Sequence, residues 1–68
     1  MKNIAILGST GSIGRQALEV VTANPDEFRV RALTACSHDL LLEQQIENFR
    51  PDIAVLTDLP AAERLKNR

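Results

Sequence analysis

Short apolar runs and apolar residues at helical spacing alternate along this chain of 68 residues, and this alternation limits the folds open to it. Residues 3–7 form a short run, apolar on both faces and ending at a glycine, which is typical of a strand buried in a parallel sheet. An amphipathic helix is predicted next, and Asn24 and Pro25 should terminate it. Its apolar stripe consists of Ile13, Ala17, Val20 and Val21. A strand followed by a helix is the first half of a parallel crossover unit.

Two further strands are predicted downstream. Residues 28–35 are rich in β-forming side chains, and we expect Arg29 and Arg31 to face outward where this strand begins. Residues 52–56, directly after Pro51, are the third predicted strand, and its residues 53–56 are apolar. Strands and helices therefore continue to alternate through the chain.

Each of these strands is followed by a predicted helix. Apolar residues keep helical spacing over residues 39–49, and Ser37 or Asp39 can cap the start of this helix. The last helix begins after Asp58, a candidate N-cap, and its first turn contains Pro60, where a missing N–H costs little.

The resulting order is β-α-β-α-β-α with short connections, which predicts an α/β fold. Right-handed crossovers place the strands in the order 3-2-1, the first half of a doubly wound, Rossmann-type parallel sheet. The first strand would then be an apolar edge, which natural sheets avoid, and the chain stops at Arg68 within a predicted helix. We therefore expect residues 1–68 to be the N-terminal part of a dinucleotide-binding domain, with catalytic and C-terminal domains outside this chain.

The composition argues against several kinds of partner. The 8 basic and 9 acidic residues give a formal net charge of -1 and no basic block, so neither nucleic acid nor an acidic membrane surface is expected. Phe28 and Phe49 are the only aromatic residues, too few for a base-stacking surface. Cys36 and His38 are too few for a Cys/His metal site, and one cysteine suits a reducing compartment. We expect a cytoplasmic protein.

A glycine-rich loop joins the first strand to the first helix. Gly8, Gly11 and Gly14 are spaced three residues apart, G-x-x-G-x-x-G, a variant of the dinucleotide-binding G-x-G-x-x-G pattern. Gly8 would permit a tight exit from the strand, Gly11 would let the backbone approach a pyrophosphate, and Gly14 would let the helix lie close to the sheet.

The loop offers several hydrogen-bond donors to a phosphate. We expect free N–H groups at Gly11, Ser12 and Ile13, at the positive end of the helix dipole, with the hydroxyls of Thr10 and Ser12 beside them. Arg15 and Gln16 stand where a P-loop needs Lys and Ser or Thr, which excludes that motif. A simple connecting turn remains the alternative to a nucleotide site.

The end of the second strand predicts which cofactor is bound. Glu27 and Asp39 have no acidic residue between them, so no carboxylate is available there to hold a ribose 2′-hydroxyl, and NADP is favoured over NAD. Ser37 and His38 could donate to a 2′-phosphate, or else be a helix N-cap and a solvated turn residue. We expect Cys36 to be a small, half-buried residue at the end of the strand, without a chemical role.

No catalytic constellation is evident among the remaining polar residues. Glu43 and Glu47 lie one helical turn apart, which is typical of a solvated helix face, and no His/Asp/Ser arrangement is present. The catalytic chemistry is therefore expected outside this chain.

Several segments along the chain share one resemblance, namely residues 6–14, 18–21, 24–25, 28–30, 32–35, 41–45 and 49–51. Taken together, these segments closely resemble the N-terminus of the 1-deoxy-D-xylulose 5-phosphate reductoisomerase family over nearly the whole chain. The resemblance extends well beyond the glycine loop, so it is more specific than that motif alone.

The resemblance implies an NADPH-dependent oxidoreductase that converts 1-deoxy-D-xylulose 5-phosphate, a sugar phosphate, to 2-C-methyl-D-erythritol 4-phosphate in isoprenoid biosynthesis. It also implies a homodimer and a divalent cation, Mg or Mn, whose ligands lie outside this chain. The family's first NADPH-binding segment matches Thr10, Gly11, Ser12 and Ile13. A second, usually Gly, then Lys, Arg or a small polar residue, then Asn, aligns with residues 36–38 and differs there.

Two other functions are compatible with the motifs. One is another NADP-dependent reductase with the same glycine spacing, such as a semialdehyde dehydrogenase, which would carry a cysteine nucleophile downstream. The other is a non-catalytic binding or scaffold domain that keeps the Rossmann-type sheet but holds no cofactor.

Overall fold

A computed structural model describes residues 1–67 and contains three strands and three helices in strict alternation. The three strands are parallel, and the second lies between the first and the third, so the predicted α/β sheet and its strand order are confirmed. The last residue of the predicted final helix, Arg68, lies outside the described residues. The elements are β1 (Lys2–Leu7), α1 (Ser12–Ala23), β2 (Phe28–Ala35), α2 (Asp39–Phe49), β3 (Ile53–Leu56) and α3 (Leu59–Lys66).

The helices cover one face of the sheet and form a single apolar core with it. Leu33 at the centre of β2 and Leu42 on α2 are completely buried in the core between the sheet and the helices. Burial of this kind is the main favourable term in folding. The remaining buried members of the core are Ile6, Leu18, Val21, Val30 and Ala35.

The opposite face of the sheet is open among the described residues. The strand register aligns Ala5 with Ala32 and Ile53, and Leu7 with Thr34 and Val55, in two rows across this face. Leu7 is 79% exposed and Ile53 is 60% exposed. The expectation that β1 is buried on both faces is therefore wrong for this chain, because its helices cover one face only.

A β-bulge in β2 keeps its apolar residues on the covered face. The pairing with β1 passes from Val30 to Ala32, so Arg31 is an extra residue in β2. Val30 and Leu33 both face the helices as a result, although their spacing would otherwise put them on opposite faces.

The arginines of β2 are exposed, as expected, and both form ion pairs with Asp52, the residue before β3. The Nε atom of Arg31 lies 2.8 Å from one Asp52 carboxylate oxygen, and the NH2 atom of Arg29 lies 3.4 Å from the other. The Asp52 N–H also donates to the Arg31 carbonyl at 2.9 Å. Exposed ion pairs contribute less than about 1 kcal/mol, so these contacts chiefly position β3 beside β2.

The predicted apolar stripe of α1 is partly wrong. Ile13 is 82% exposed and Val20 is also exposed, whereas the buried residues of this helix are Gly14, Leu18 and Val21. These three share one face at i, i+4 and i+7. Gly14 packs directly on the preceding loop. As a result, the buried face of α1 is displaced by about one residue from the predicted apolar stripe.

Helix α1 ends at Ala23, as predicted from Asn24 and Pro25. The Asn24 side-chain amide donates to the Val20 carbonyl at 2.9 Å, and its backbone N–H donates to the Val21 carbonyl at 3.1 Å. Asn24 therefore satisfies two carbonyls of the last turn, which otherwise lack partners.

The predicted side-chain cap of α2 is not found. Within residues 1–67, His38 occupies the N-cap position and no side chain caps this helix. Ser37 instead accepts the Asp39 N–H through its backbone carbonyl at 2.8 Å, and the Asp39 carboxylate binds Arg64 of α3 at 3.2 Å. The carboxylate thus joins two helices. At the other end, Arg50 adopts the left-handed region, with φ 48°, and terminates the helix before Pro51.

The cap of α3 is confirmed. The Asp58 carboxylate accepts the Ala61 N–H at 3.1 Å, and Pro60 lies in the first turn. Ala61 is completely buried, so this bond also fixes where α3 packs on the core.

We predict that Asp58→Ala lowers the free energy of unfolding by about 1 kcal/mol, because the first turn of α3 loses its N-cap acceptor. Asp58→Asn keeps an acceptor at the same place and should lose much less. Urea unfolding followed by far-UV circular dichroism measures both. Equal losses for the two variants would show that the charge, rather than the cap, is what matters.

Candidate functional site

The loop after β1 leaves the strand through a backbone conformation that favours glycine. Gly8 has φ +74°, and its N–H donates to the Thr34 hydroxyl of β2 at 3.1 Å. The next N–H, that of Ser9, donates to the Thr34 carbonyl at 2.8 Å. The expected role of Gly8 as a tight exit is consistent with this geometry, and Thr34 holds the start of the loop.

Gly14 brings the first turn of α1 into direct contact with this loop. A Cβ atom at Gly14 would lie 2.2 Å from the Gly8 carbonyl oxygen and 2.7 Å from the Ser9 Cα atom. No side chain fits at these distances. The close approach predicted for Gly14 is present, and its partner is the loop that leaves β1.

Sequence analysis missed a buried polar pair beneath the loop. Ser9 is completely buried and Gln45 of α2 is 5% exposed. The Ser9 hydroxyl donates to the Gln45 Oε1 atom at 2.7 Å, and the Gln45 Nε2 atom donates to the Ser9 carbonyl at 2.9 Å. The available signal was the position of Gln45, which lies on the same helix face as Leu42 and Phe49.

The outer surface of the loop is exposed and rich in donors. Gly11 has extended backbone angles, φ -76° and ψ 171°, and precedes the helix as its N-cap residue. Its N–H donates to the Gly8 carbonyl at 3.1 Å, so the expectation that this N–H is free is wrong. In the described part of the chain, the N–H groups of Thr10, Ser12 and Ile13 have no protein acceptor. Those of Ser12 and Ile13 lie at the positive end of α1.

The end of β2 lies beside the loop at the carboxyl edge of the sheet. Leu7 pairs with Thr34, so the chain reaches Cys36 two residues beyond the point where β1 ends. Cys36, Ser37 and His38 are all exposed, and Cys36 is therefore not half-buried as expected. It follows the last strand residue, and its carbonyl accepts the Asp58 N–H at 3.0 Å.

Asp39 is the acidic side chain nearest this turn in sequence, and it is engaged elsewhere. Its carboxylate is largely buried and binds Arg64 at 3.2 Å. This hydrogen bond, together with the charge of Asp39, raises the pKa of Arg64 above its usual value. The exposed turn therefore presents Ser37 and His38 beside a carboxylate that is already paired with Arg64.

Residues 1–67 contain neither a metal-binding cluster nor a membrane-spanning helix. This part of the chain holds no group of three or more His, Cys, Asp or Glu side chains placed to bind a metal ion. Nor does any helix described in the structure have the length and apolar character needed to span a membrane. The donor-rich loop and the adjoining turn are thus the candidate site.

Comparison with known proteins identifies one family. The sequence profile described as 1-deoxy-D-xylulose 5-phosphate reductoisomerase matches residues 4–68. A protein of that name from Moorella thermoacetica is 61% identical over 57 residues, which are 84% of this chain and 15% of the relative. The one from Trichlorobacter lovleyi is 53% identical over 66 residues, 97% of this chain and 17% of the relative. The chain therefore spans less than a fifth of these relatives.

A solved structure gives the same result. A crystal structure described as DOX-P reductoisomerase in complex with magnesium superposes with a TM-score of 0.82 at 30% sequence identity. The match covers 98% of this chain and 18% of that protein.

The glycines of the loop should differ in their tolerance of a methyl group. We predict that Gly14→Ala costs about 2 kcal/mol or more of the free energy of unfolding, because the new Cβ overlaps backbone atoms that cannot move aside. Gly11→Ala should be nearly neutral for stability, because its Cβ would meet only the Gly8 carbonyl oxygen at 3.4 Å. Urea unfolding compares the two, and equal losses would contradict the packing described for Gly14.

Proposed function

The chain belongs to the 1-deoxy-D-xylulose 5-phosphate reductoisomerase family, and we propose that it is the part of such an enzyme that binds NADPH. The observation that carries the proposal is the loop after β1, whose unpaired Ser12 and Ile13 N–H groups lie at the positive end of α1. When bound, NADPH supplies the hydride for reducing the rearranged sugar phosphate. The full protein would form 2-C-methyl-D-erythritol 4-phosphate from 1-deoxy-D-xylulose 5-phosphate.

The loop fits the pyrophosphate of a dinucleotide. Gly11 is exposed, and the space that its missing side chain leaves open contains only the Gly8 carbonyl oxygen within 4 Å. We assign the phosphate contacts to the N–H groups of Ser12 and Ile13 and to the hydroxyls of Thr10 and Ser12. Hydrogen bonds to charged groups contribute about 1.5–3 kcal/mol each, so a few such contacts suffice for useful affinity. Gly8 and Gly14 shape the loop.

The exposed turn after β2 fits the adenosine end of the same cofactor. Cys36, Ser37 and His38 lie at the same edge of the sheet as the loop, where a dinucleotide would cross the strand ends. Ser37 and His38 can donate hydrogen bonds to a 2′-phosphate. The Asp39 carboxylate, which would repel that phosphate, is held by Arg64.

The remaining functions of the enzyme are assigned to chain outside this segment. We place the divalent cation, the residues that bind the sugar phosphate and the catalytic groups there, because residues 1–67 hold no metal-binding cluster. The magnesium complex of the structural relative supports the choice of metal. Residues 1–68 would then be the N-terminal part of the dinucleotide-binding domain, and the open sheet face with Leu7 and Ile53 supports this. We expect a cytoplasmic homodimer.

The alternative of a semialdehyde dehydrogenase is not supported, because the profile and the relatives all identify reductoisomerases. Cofactor titration distinguishes the proposal from the alternative of a scaffold domain, which would hold no cofactor.

In the complete enzyme that carries this segment, Gly11→Val should abolish NADPH binding because the side chain would occupy the place of the pyrophosphate. The extended backbone at Gly11 accepts valine, so the far-UV circular dichroism spectrum should not change. Fluorescence titration with NADPH measures the affinity, and Gln16→Val, at an exposed position on α1, is the matched control. Unchanged affinity in Gly11→Val would mean that the loop is only a connector.

The same enzyme should prefer NADPH over NADH. Ser37 and His38 are exposed, so their hydrogen bonds to the 2′-phosphate should each contribute less than the loop contacts, about 1 kcal/mol, and these residues alone support a preference of roughly tenfold to a hundredfold. Ser37→Asp should lower this preference by repelling the phosphate and offering the ribose an acceptor, and Ser37→Ala should lower it less. The ratio of kcat/KM for the two cofactors tests this, and an unchanged ratio in Ser37→Asp would show that the turn does not contact the 2′ position.

A further inference from the structure

The Ser9–Gln45 pair connects the glycine loop to a helix that carries none of the proposed cofactor contacts. Its two hydrogen bonds are reciprocal, since each residue donates one and accepts one. Both side chains are buried, and their positions differ by 36 residues in the chain. A buried, fully satisfied polar pair is sensitive to change, because removing one partner leaves the other without hydrogen bonds away from water.

This pair fixes the orientation of one peptide group in the loop. The Ser9 carbonyl belongs to the same planar unit as the Thr10 N–H, and in a trans peptide the two bonds point in opposite directions. Gln45 holds the carbonyl toward α2 at 2.9 Å. The Thr10 N–H therefore points away from α2, and it has no protein acceptor in the described part of the chain.

We propose that Gln45 is a positioning residue for the cofactor, which acts through Ser9 to hold the loop with the Thr10 N–H directed at the pyrophosphate. This inference rests on the proposed binding of NADPH at the loop. It adds a residue on α2 that would not touch the ligand, and it adds the Thr10 N–H to the donors of Ser12 and Ile13.

The chemistry of the pair requires an amide at position 45. Leucine would have similar size, but it would leave the Ser9 hydroxyl and carbonyl without partners. An ionised glutamate could accept from the Ser9 hydroxyl, but it would place a negatively charged oxygen beside the Ser9 carbonyl oxygen, and the two would repel each other. A protonated glutamic acid has the shape of the amide and can again both donate and accept.

The first experiment measures the NADPH dissociation constant of the complete enzyme with Gln45→Leu. We expect binding about tenfold to a hundredfold weaker, because the loop would no longer be held in its binding shape. Gln44→Leu, at the exposed neighbouring position on α2, is the matched control and should bind as the wild type does. At saturating NADPH, kcat should change much less than the KM for NADPH. General destabilisation would instead lower the active fraction without altering the affinity of the folded protein.

The second experiment uses pH to restore the missing donor. In Gln45→Glu, burial disfavours the ionised carboxylate, so protonation should occur within the range from about pH 8 to about pH 5. Arg15 and Glu19 of α1 line the same groove as Gln45 with opposite charges, and Glu43 lies nearby on α2. Gln44→Glu and the wild type control for the titration of these groups and of NADPH itself.

NADPH affinity of Gln45→Glu, divided by that of Gln44→Glu at the same pH, should rise as the pH falls. A constant ratio would overturn the proposal, as would wild-type affinity in Gln45→Leu. Gly11→Val separates this inference from the proposed function. If Gly11→Val also binds NADPH normally, the loop is not the cofactor site; if only the Gln45 variants bind normally, the site stands and the positioning role is wrong.

Discussion

The contact of Gly14 with the backbone of Gly8 and Ser9 determines how the rest of this chain packs. The absence of a side chain at Gly14 allows α1 to begin directly on the loop that leaves β1. This contact sets the rotation of the helix, so Leu18 and Val21 enter the core and Ile13 remains outside. The same contact places the free N–H groups of the first turn beside the loop. Core packing and the candidate phosphate site therefore have a common origin.

Three neighbouring elements hold the glycine loop, two by hydrogen bonds and one by close packing of backbone. Thr34 of β2 binds the first two N–H groups of the loop, Gln45 of α2 binds Ser9 from below, and Gly14 of α1 packs against it. A loop held in this way loses little conformational freedom when a ligand arrives, which favours affinity without additional contacts.

The element boundaries could be predicted because the chain marks them with local signals. Pro25 and Pro51 follow the ends of two helices, and Asp58 starts the third. The rotation of α1 could not be obtained from its apolar stripe, since a glycine contact outweighed the larger side chains. The pairing of Ser9 with Gln45 depends on tertiary structure. The assignment of individual residues to the cofactor remains a prediction, because it concerns contacts with a ligand.

The extra residue at Arg31 can be lost without changing which residues of β2 face the helices. Arg31 is exposed and lies at the bulge, so many substitutions there would leave the sheet intact. Deleting it would remove the bulge and leave Val30, Ala32 and Leu33 in regular alternation, each beside its present partner in β1. Leu33 would stay on the covered face, and Thr34 would still meet the N–H of Gly8. Asp52 would lose both the Arg31 carbonyl and the Arg31 side chain, so a single-codon deletion here would spare the core and weaken the attachment of β3.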